Sequence, residues 1–441
     1  MGGLGGRRLA RRHGPARARD RRAGPAPRRG GRRPLGRAED RRRRPRPPRL
    51  LTRVKLGGPV TPLLALLCAL VFAGTFSIGA FPAVLPELGR SAALADWQLG
   101  AVAGAFGFAR MLADVPAGLF LTHHLRRAYV LSPLLLTAGV LALALGGGLG
   151  VLLLGRVLMG MGHALAMVAG LSTILRFHAG PALASALNAY ELSAMLGILG
   201  GTVALAALPA RLPWNVAYLL ACAPQLLAFA VLPFLLRALP PEAAPAARPL
   251  FARGAGAGLA PVTARAVLAV AAGGVLAVGY AALEHFVIPV RASREFGLAR
   301  AGVARLLMTA QLADILALLP MGVLADRLGP ARVVGPVLLA MAAASLLISF
   351  APLPLVVAGA VLFGLAMAGW MLPLGVLRAE TSPERIAWRT ALYRVCVDGG
   401  LFLGPFLAGL LGAAHAGWLA LGWSLTLVLL ASLLLRRGRA R

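Results

Sequence analysis

The sequence predicts an all-α membrane protein with twelve transmembrane helices in two pseudo-symmetric six-helix bundles. Three observations predict it. Hydrophobic residues make up 59% of the 441 and charged residues only 14%, whereas a soluble domain is roughly 45–50% apolar. Apolar stretches of about 20 residues recur along nearly the whole chain after residue 58, each long enough at 1.5 Å per residue to cross a hydrocarbon core of roughly 30 Å. A register of about 204 residues also runs through the chain: "PAGLFLTHHLRR" from Pro116 reappears as "PMGVLADRLGPAR" from Pro320, and Gly160 in "GRVLMG" reappears as Gly364 in "GAVLFG". Repetition at that period marks one membrane unit occurring twice, with a binding site between the copies.

The expected spans follow in order. The first covers 59–84. The second, 97–121, contains Gly104 and Gly107 together with Arg110 and Asp114. The third, 128–148, carries no charge, and the fourth, 150–175, holds Arg156 and His163. The fifth, 181–208, carries Glu191 and the cluster Gly197, Gly200 and Gly201; the sixth is 214–236. In the second copy, 264–290 contains Glu284 and His285, 300–324 contains Arg305 and Asp314, 331–351 is uncharged beyond Arg332, and 354–377 carries no charge. The eleventh, 386–412, holds Arg394, Asp398, Gly400 and Gly404, and the twelfth is 416–435. Closely spaced small residues in lipid ordinarily serve tight helix packing.

Four regions result: a tail at 1–55, a bundle at 56–237, a linker at 238–263 and a second bundle at 264–441 with a short basic end. The linker is rich in Pro, Ala and Gly without apolar periodicity, as a flexible connection would be. The formal charge of +31 is mainly a property of the tail, which holds 21 of the 46 Lys and Arg against the three acids Asp20, Glu39 and Asp40. Its Arg, Gly and Pro cannot bury enough surface to fold, so disorder is expected. The tail could touch anionic lipid, form a nucleic-acid arm, or lie upstream of a true start near Val54. The composition favours the last, and no nucleic-acid partner is expected. A cleaved signal peptide is not expected, because the first apolar run is long enough to span.

With both termini cytoplasmic, the even-numbered connections and the C-terminal end hold about 16 Arg, against five on the other side: Arg90, Arg211, Arg291, Arg294 and Arg300. That asymmetry sets the orientation, with "RASREFGLAR" as its exception. Cys68, Cys222 and Cys396 fall inside apolar segments without ligand spacing, so they imply neither a disulfide framework nor a metal site.

An ionisable side chain near the bilayer centre costs about 2.5–3.5 kcal/mol on insertion scales, so those in the spans should face the bundle interior or a wet cavity. Arg110 and Asp114, and likewise Arg394 and Asp398, are four residues apart, so each pair can neutralise itself along one helix face. Glu191, Glu284 and Asp314 have no cation one turn away, and desolvation favours the neutral form of such a carboxylate, making them candidates to carry a coupling proton. His285 could assist Glu284. Arg156 could fork onto a carboxylate or phosphate, or pair with an acid on another helix. His163 either lines a cavity or bonds a neighbouring carbonyl; His123 and His124 belong to a loop.

At this point the residues resemble the major facilitator superfamily, from about 59 to 435. "GVLADRLGPAR", through Gly322, Asp326, Arg327, Gly329 and Arg332, matches the family's loop motif between helices 8 and 9. "RVLMGMG", with Arg156, Gly160 and Gly162, is similar to its helix-4 motif, and Arg394, Asp398, Gly400, Gly404 and Pro405 resemble its helix-11 pattern. The first copy of the loop motif departs from the family: Thr122, His123 and Leu125 stand where Asp, Arg and Gly are expected, although Pro116, Gly118, Arg126 and Arg127 are kept. The resemblance implies that this missing Asp braces the bundles when the cytoplasmic gate shuts, a role Asp326 with Arg327 and Arg332 could take over. "LGILGG" in the fifth span also lacks the Pro of drug antiporters.

The resemblance implies alternating access driven by protons. The expected function is secondary transport of a small organic solute by a monomer in the bacterial inner membrane. Uptake of an organic anion and efflux of a drug or metabolite stay open. A non-transporting receptor or assembly protein is the rival. No His-rich metal cluster, nucleophile elbow or phosphate loop suggests an enzyme or a cofactor.

Overall fold

The computed structural model describes residues 61–177, 181–240, 263–382 and 385–439. The tail at 1–55 and most of the linker lie outside the described residues. Among the described residues twelve helices are long and apolar enough to cross a membrane: Pro62–Ser91, Asp96–Leu121, His123–Leu145, Leu149–Phe177, Ser185–Ala207, Trp214–Ala238, Ala264–Arg294, Arg300–Leu328, Pro330–Phe350, Leu353–Ala379, Arg389–Leu411 and Ala416–Arg436. They are called spans 1 to 12. The connections 1–2, 3–4, 5–6, 7–8, 9–10 and 11–12 form one face, the odd face; the others form the even face.

The internal repeat holds in three dimensions. A side chain on Gly160 of span 4 would strike the Phe106 carbonyl of span 2 and come within 2.8 Å of Ala109 Cβ. One on Gly364 of span 10 would strike the Ala310 carbonyl of span 8 and come within 2.8 Å of Ala313 Cβ. All three positions differ by the same register, so each half makes one helix crossing with the same bare backbone contact.

Several spans are broken, and the breaks have local causes. Span 1 pauses at Thr75, whose hydroxyl donates to Val71 O at 3.0 Å and to Ala194 O of span 5 at 3.0 Å. Such bonding to the preceding turn bends helices. Span 7 contains a π turn at Leu283–Val287, a feature common at functional sites. Span 8 ends at Gly329, whose φ of +84° is open to glycine at little cost.

The first copy of the loop lacks that glycine, and the consequence corrects the expectation for His123 and His124. Helical geometry runs from Asp96 to Leu145, interrupted only at His124 (φ −136°, ψ 39°). With Leu125 in the glycine position the backbone kinks instead of stopping, so the two histidines are part of the helical run.

The apolar core is organised by face. One cluster joins both halves on the odd side, including Phe81, Leu99 and Phe106 with Phe286, Leu307 and Phe363, and within the second half alone it continues to the even end at Val334 and Leu434. On the even side the first half has its own cluster (Leu67, Leu121, Tyr129, Ile174, Leu235) and the second half another (Ala269, Val376, Tyr393, Val397). The halves therefore share a core at one end and part at the other. Gly118 and Gly322 agree, since a side chain on either would meet nothing within 4 Å.

Candidate functional site: a charged layer between the halves

Spans 2 and 11 run antiparallel across the boundary, and glycines let them touch. Gly100 lies against Gly409, with a built side chain 2.8 Å from Gly409 Cα, and Gly104 and Gly107 lie against the backbone at Phe402 and Leu401. Continuing this packing sets Arg110 opposite Asp398 and Asp114 opposite Arg394. Arg110 Nη2 is 2.8 Å from Asp398 Oδ1, and Arg394 Nε donates to Asp114 Oδ2 at 2.9 Å. The expectation that each helix neutralises itself is thus corrected: the pairs are exchanged between halves. An opposing charge directly across an antiparallel contact offers each guanidinium a short bond, so the two i,i+4 pairs interlock. Asp398 and Asp114 are 2% and 7% exposed, Arg110 and Arg394 15% and 33%.

Glu191 of span 5 lies in the field of Arg110 and Arg394, although among the described residues it forms no ion pair with either. Glu284, in the π turn of span 7, is buried and accepts from Gln311 Nε2 of span 8 at 3.0 Å. Asp314 is half-buried, with Glu284 and Glu191 as its electrostatic neighbours. His285 is buried edge-on to Tyr280, ring centres 5.6 Å apart. His163 is buried against Phe106, centres 5.5 Å apart.

Arg156 departs from both expected roles. Its guanidinium lies 3.7 Å from the Phe81 ring centre and 4.9 Å from that of Phe106. Nε and Nη2 donate to Val102 O and Ala103 O at 3.3 and 3.2 Å. Helix carbonyls and aromatic faces, both electron-rich, replace the carboxylate, and the residue ties spans 1, 2 and 4 within one half. Gly322, Asp326, Arg327, Gly329 and Arg332 sit on the even face with the Asp326, Arg327 and Arg332 side chains exposed. Among the described residues none of these three side chains forms an ion pair.

The sequence reading missed the odd-face contacts. Arg300, only 2% exposed, pairs with Glu87 at 2.7 Å and donates to Leu212 O and Pro209 O. Arg294 pairs with Asp96 at 2.7 Å, and the other Asp96 oxygen accepts from Ala413 N at 2.8 Å. Arg90 donates to Ser293 Oγ at 3.2 Å. All of these cross between halves. A signal was present: Asp96 and Arg300 occupy equivalent positions under the repeat register, with opposite charges. The arginines that weakened the orientation argument are accounted for, since two bridge to the first half and Arg291 holds Glu295 at 2.6 Å.

Two six-helix halves joined by breakable ion pairs, over a shared core at one end only, define an integral membrane protein of the transporter class. The Major Facilitator Superfamily description matches residues 63–286 and 270–440. The chain belongs to that family. No curated protein matches it. Among solved structures it is similar to the nucleoside transporter NupG, at 15% identity over 85% of this chain and 98% of that one (TM-score 0.64). It also resembles a bacterial homolog of the human lysosomal transporter Spinster, in an inward-facing and occupied conformation, at 15% identity over 87% and 98% of the two chains (TM-score 0.67). A third is a POT family transporter in complex with a thioalcohol-conjugated peptide, at 12% identity over 86% and 96% (TM-score 0.70). At these identities the likeness is one of fold.

Proposed function

We propose that this protein is a monomeric secondary transporter that carries a small organic solute across a bacterial inner membrane by alternating access, coupled to protons. In this reading the odd face is extracellular, both termini are cytoplasmic, and the conformation is closed outside and parted inside. The observation that carries it is the core shared on the odd side and divided on the even side. The ion pairs fit the same reading. A boundary that must open and close repeatedly is better built from charges, which water can solvate when they separate, than from apolar surface alone.

Glu191, Glu284 and Asp314 are the proposed coupling carboxylates, and Arg110, Asp114, Arg394 and Asp398 link the two bodies. His285 is assigned to the same layer and Arg156 to bracing one body. Solute accumulation in sealed vesicles under an imposed pH gradient tests the coupling. Wild type is expected to concentrate or expel solute in proportion to the gradient. At least one of Glu191→Gln, Glu284→Gln and Asp314→Asn is expected to abolish the response to the gradient. Proton-driven movement by all three variants would remove these residues from coupling.

A further inference from the structure

Two acceptor atoms one turn apart on span 8 lack donors. Gln311 and Asp314 are three residues apart and so share a helix face. Gln311 is 8% exposed, and its Nε2 is held by Glu284 at 3.0 Å, which aims the amide into the cluster of carboxylates. The Oε1 atom of that amide has no partner, and neither has the enclosed Oδ1 of Asp314. The groups acting on Asp314 are Glu284 and Glu191, both acidic. Arg110 is paired with Asp398 and Arg394 with Asp114, while Arg110 Nε has no partner. When Glu284 and Asp314 are ionised, these span 7 and 8 oxygens accept, and together they fit a positively charged group with several N–H bonds to give. Among the described residues no three His, Cys, Asp or Glu are placed to hold a metal ion, which favours a larger cation reaching separate acceptors over a bare one.

We infer that Glu284, Gln311 and Asp314 bind the protonated amine of the transported solute, making the substrate class organic amines rather than organic anions. This rests on the transport reading above. Tyr280 and His285 on span 7, Glu191 on span 5, Arg110 on span 2 and Arg156 on span 4 are other titratable or charged groups around the cluster. Protons and amine then compete for the same carboxylates, the requirement for exchanging one against the other.

The test is calorimetric titration of the full-length protein in detergent with 2-phenylethylamine, 2-phenylethanol and 3-phenylpropionate, three probes of one shape, and with putrescine. Binding of one or both amines is expected, with the alcohol and the carboxylate failing to compete. Asp314→Asn and the isosteric Gln311→Leu should each weaken amine binding about tenfold or more, as expected on losing a charge-assisted acceptor or an acceptor in a low-dielectric site. Thr426→Ala, on the outer side of span 12, should bind as wild type does. Gln311→Leu keeps the test open if Asp314→Asn does not fold. The inference is overturned if neither amine binds, if the alcohol or carboxylate binds as tightly, or if a folded variant at either position binds amines normally. Gradient-driven movement of some other solute alongside any of those results would sink the amine site and leave the transport reading standing. If no solute moves at all, the transport reading fails independently.

Discussion

Arg110→Ala is expected to lose much of the protein's thermal stability, and adding Asp398→Ala is expected to restore most of it. The pair joins a guanidinium that is 15% exposed to a carboxylate that is 2% exposed. Removing one partner of a buried pair leaves an uncompensated charge and costs about 3–5 kcal/mol, whereas removing both is often close to neutral. A double-mutant cycle read by thermal unfolding in one detergent should therefore show strong coupling between positions 110 and 398, and between 394 and 114. Coupling between 110 and 114, on the same helix, should be clearly weaker. The alternative arrangement, each helix neutralising itself, predicts the reverse order, so the cycle decides between them. The exchanged-charge variant Arg110→Asp with Asp398→Arg should also fold better than either single replacement.

Arg300→Ala is expected to release the odd face. Arg300 is almost fully enclosed, and from the second half it reaches Glu87 and two backbone carbonyls of the first. Losing it strands the Leu212 and Pro209 carbonyls and half-buried Glu87, at a cost on the order of 3–5 kcal/mol confined to the closed arrangement. A two-state equilibrium moves from 1:99 to 99:1 with about 5.5 kcal/mol, so this single change should populate the opposite state heavily. Amide hydrogen exchange should rise in 87–96, 209–213 and 293–300 and stay unchanged in the apolar interior of span 9. Arg294→Ala should do much less, because Arg294 is 44% exposed and its pair with Asp96 is worth about 1 kcal/mol or below. Equal effects from the two variants would show that the buried arginine is not the latch.

The architecture was legible in the sequence because its cause is local. Each span is an apolar run of sufficient length, and the two halves announce themselves through the spacing of Pro116 with Pro320 and Gly160 with Gly364. The charged layer was legible as a set of residues, since a charge inside a membrane segment must be accommodated somewhere. Partner choice was not. The i,i+4 spacing of Arg110 with Asp114 supplies a satisfactory partner on the same helix, and nothing in one sequence says that span 11 lies across from it. Arg156 misled for a related reason: its neighbours Phe81 and Phe106 come from two other spans and carry no charge. Gln311 was passed over because a neutral amide gives no electrostatic signal. The kink at His124 was readable in principle, since Leu125 stands where the second copy has Gly329.

The central claim is that the halves rock about a common layer, opening one face as the other shuts. Electron–electron distance measurements on two spin-label pairs in nanodiscs test it most directly. One pair sits on the odd face at Ser91 and Gly297, the other on the even face at Arg176 and Arg378, all exposed positions. In a cysteine-free background, Arg300→Ala should lengthen the first distance and shorten the second. Both distances unchanged, or both moving in the same sense, would contradict alternating access in this protein.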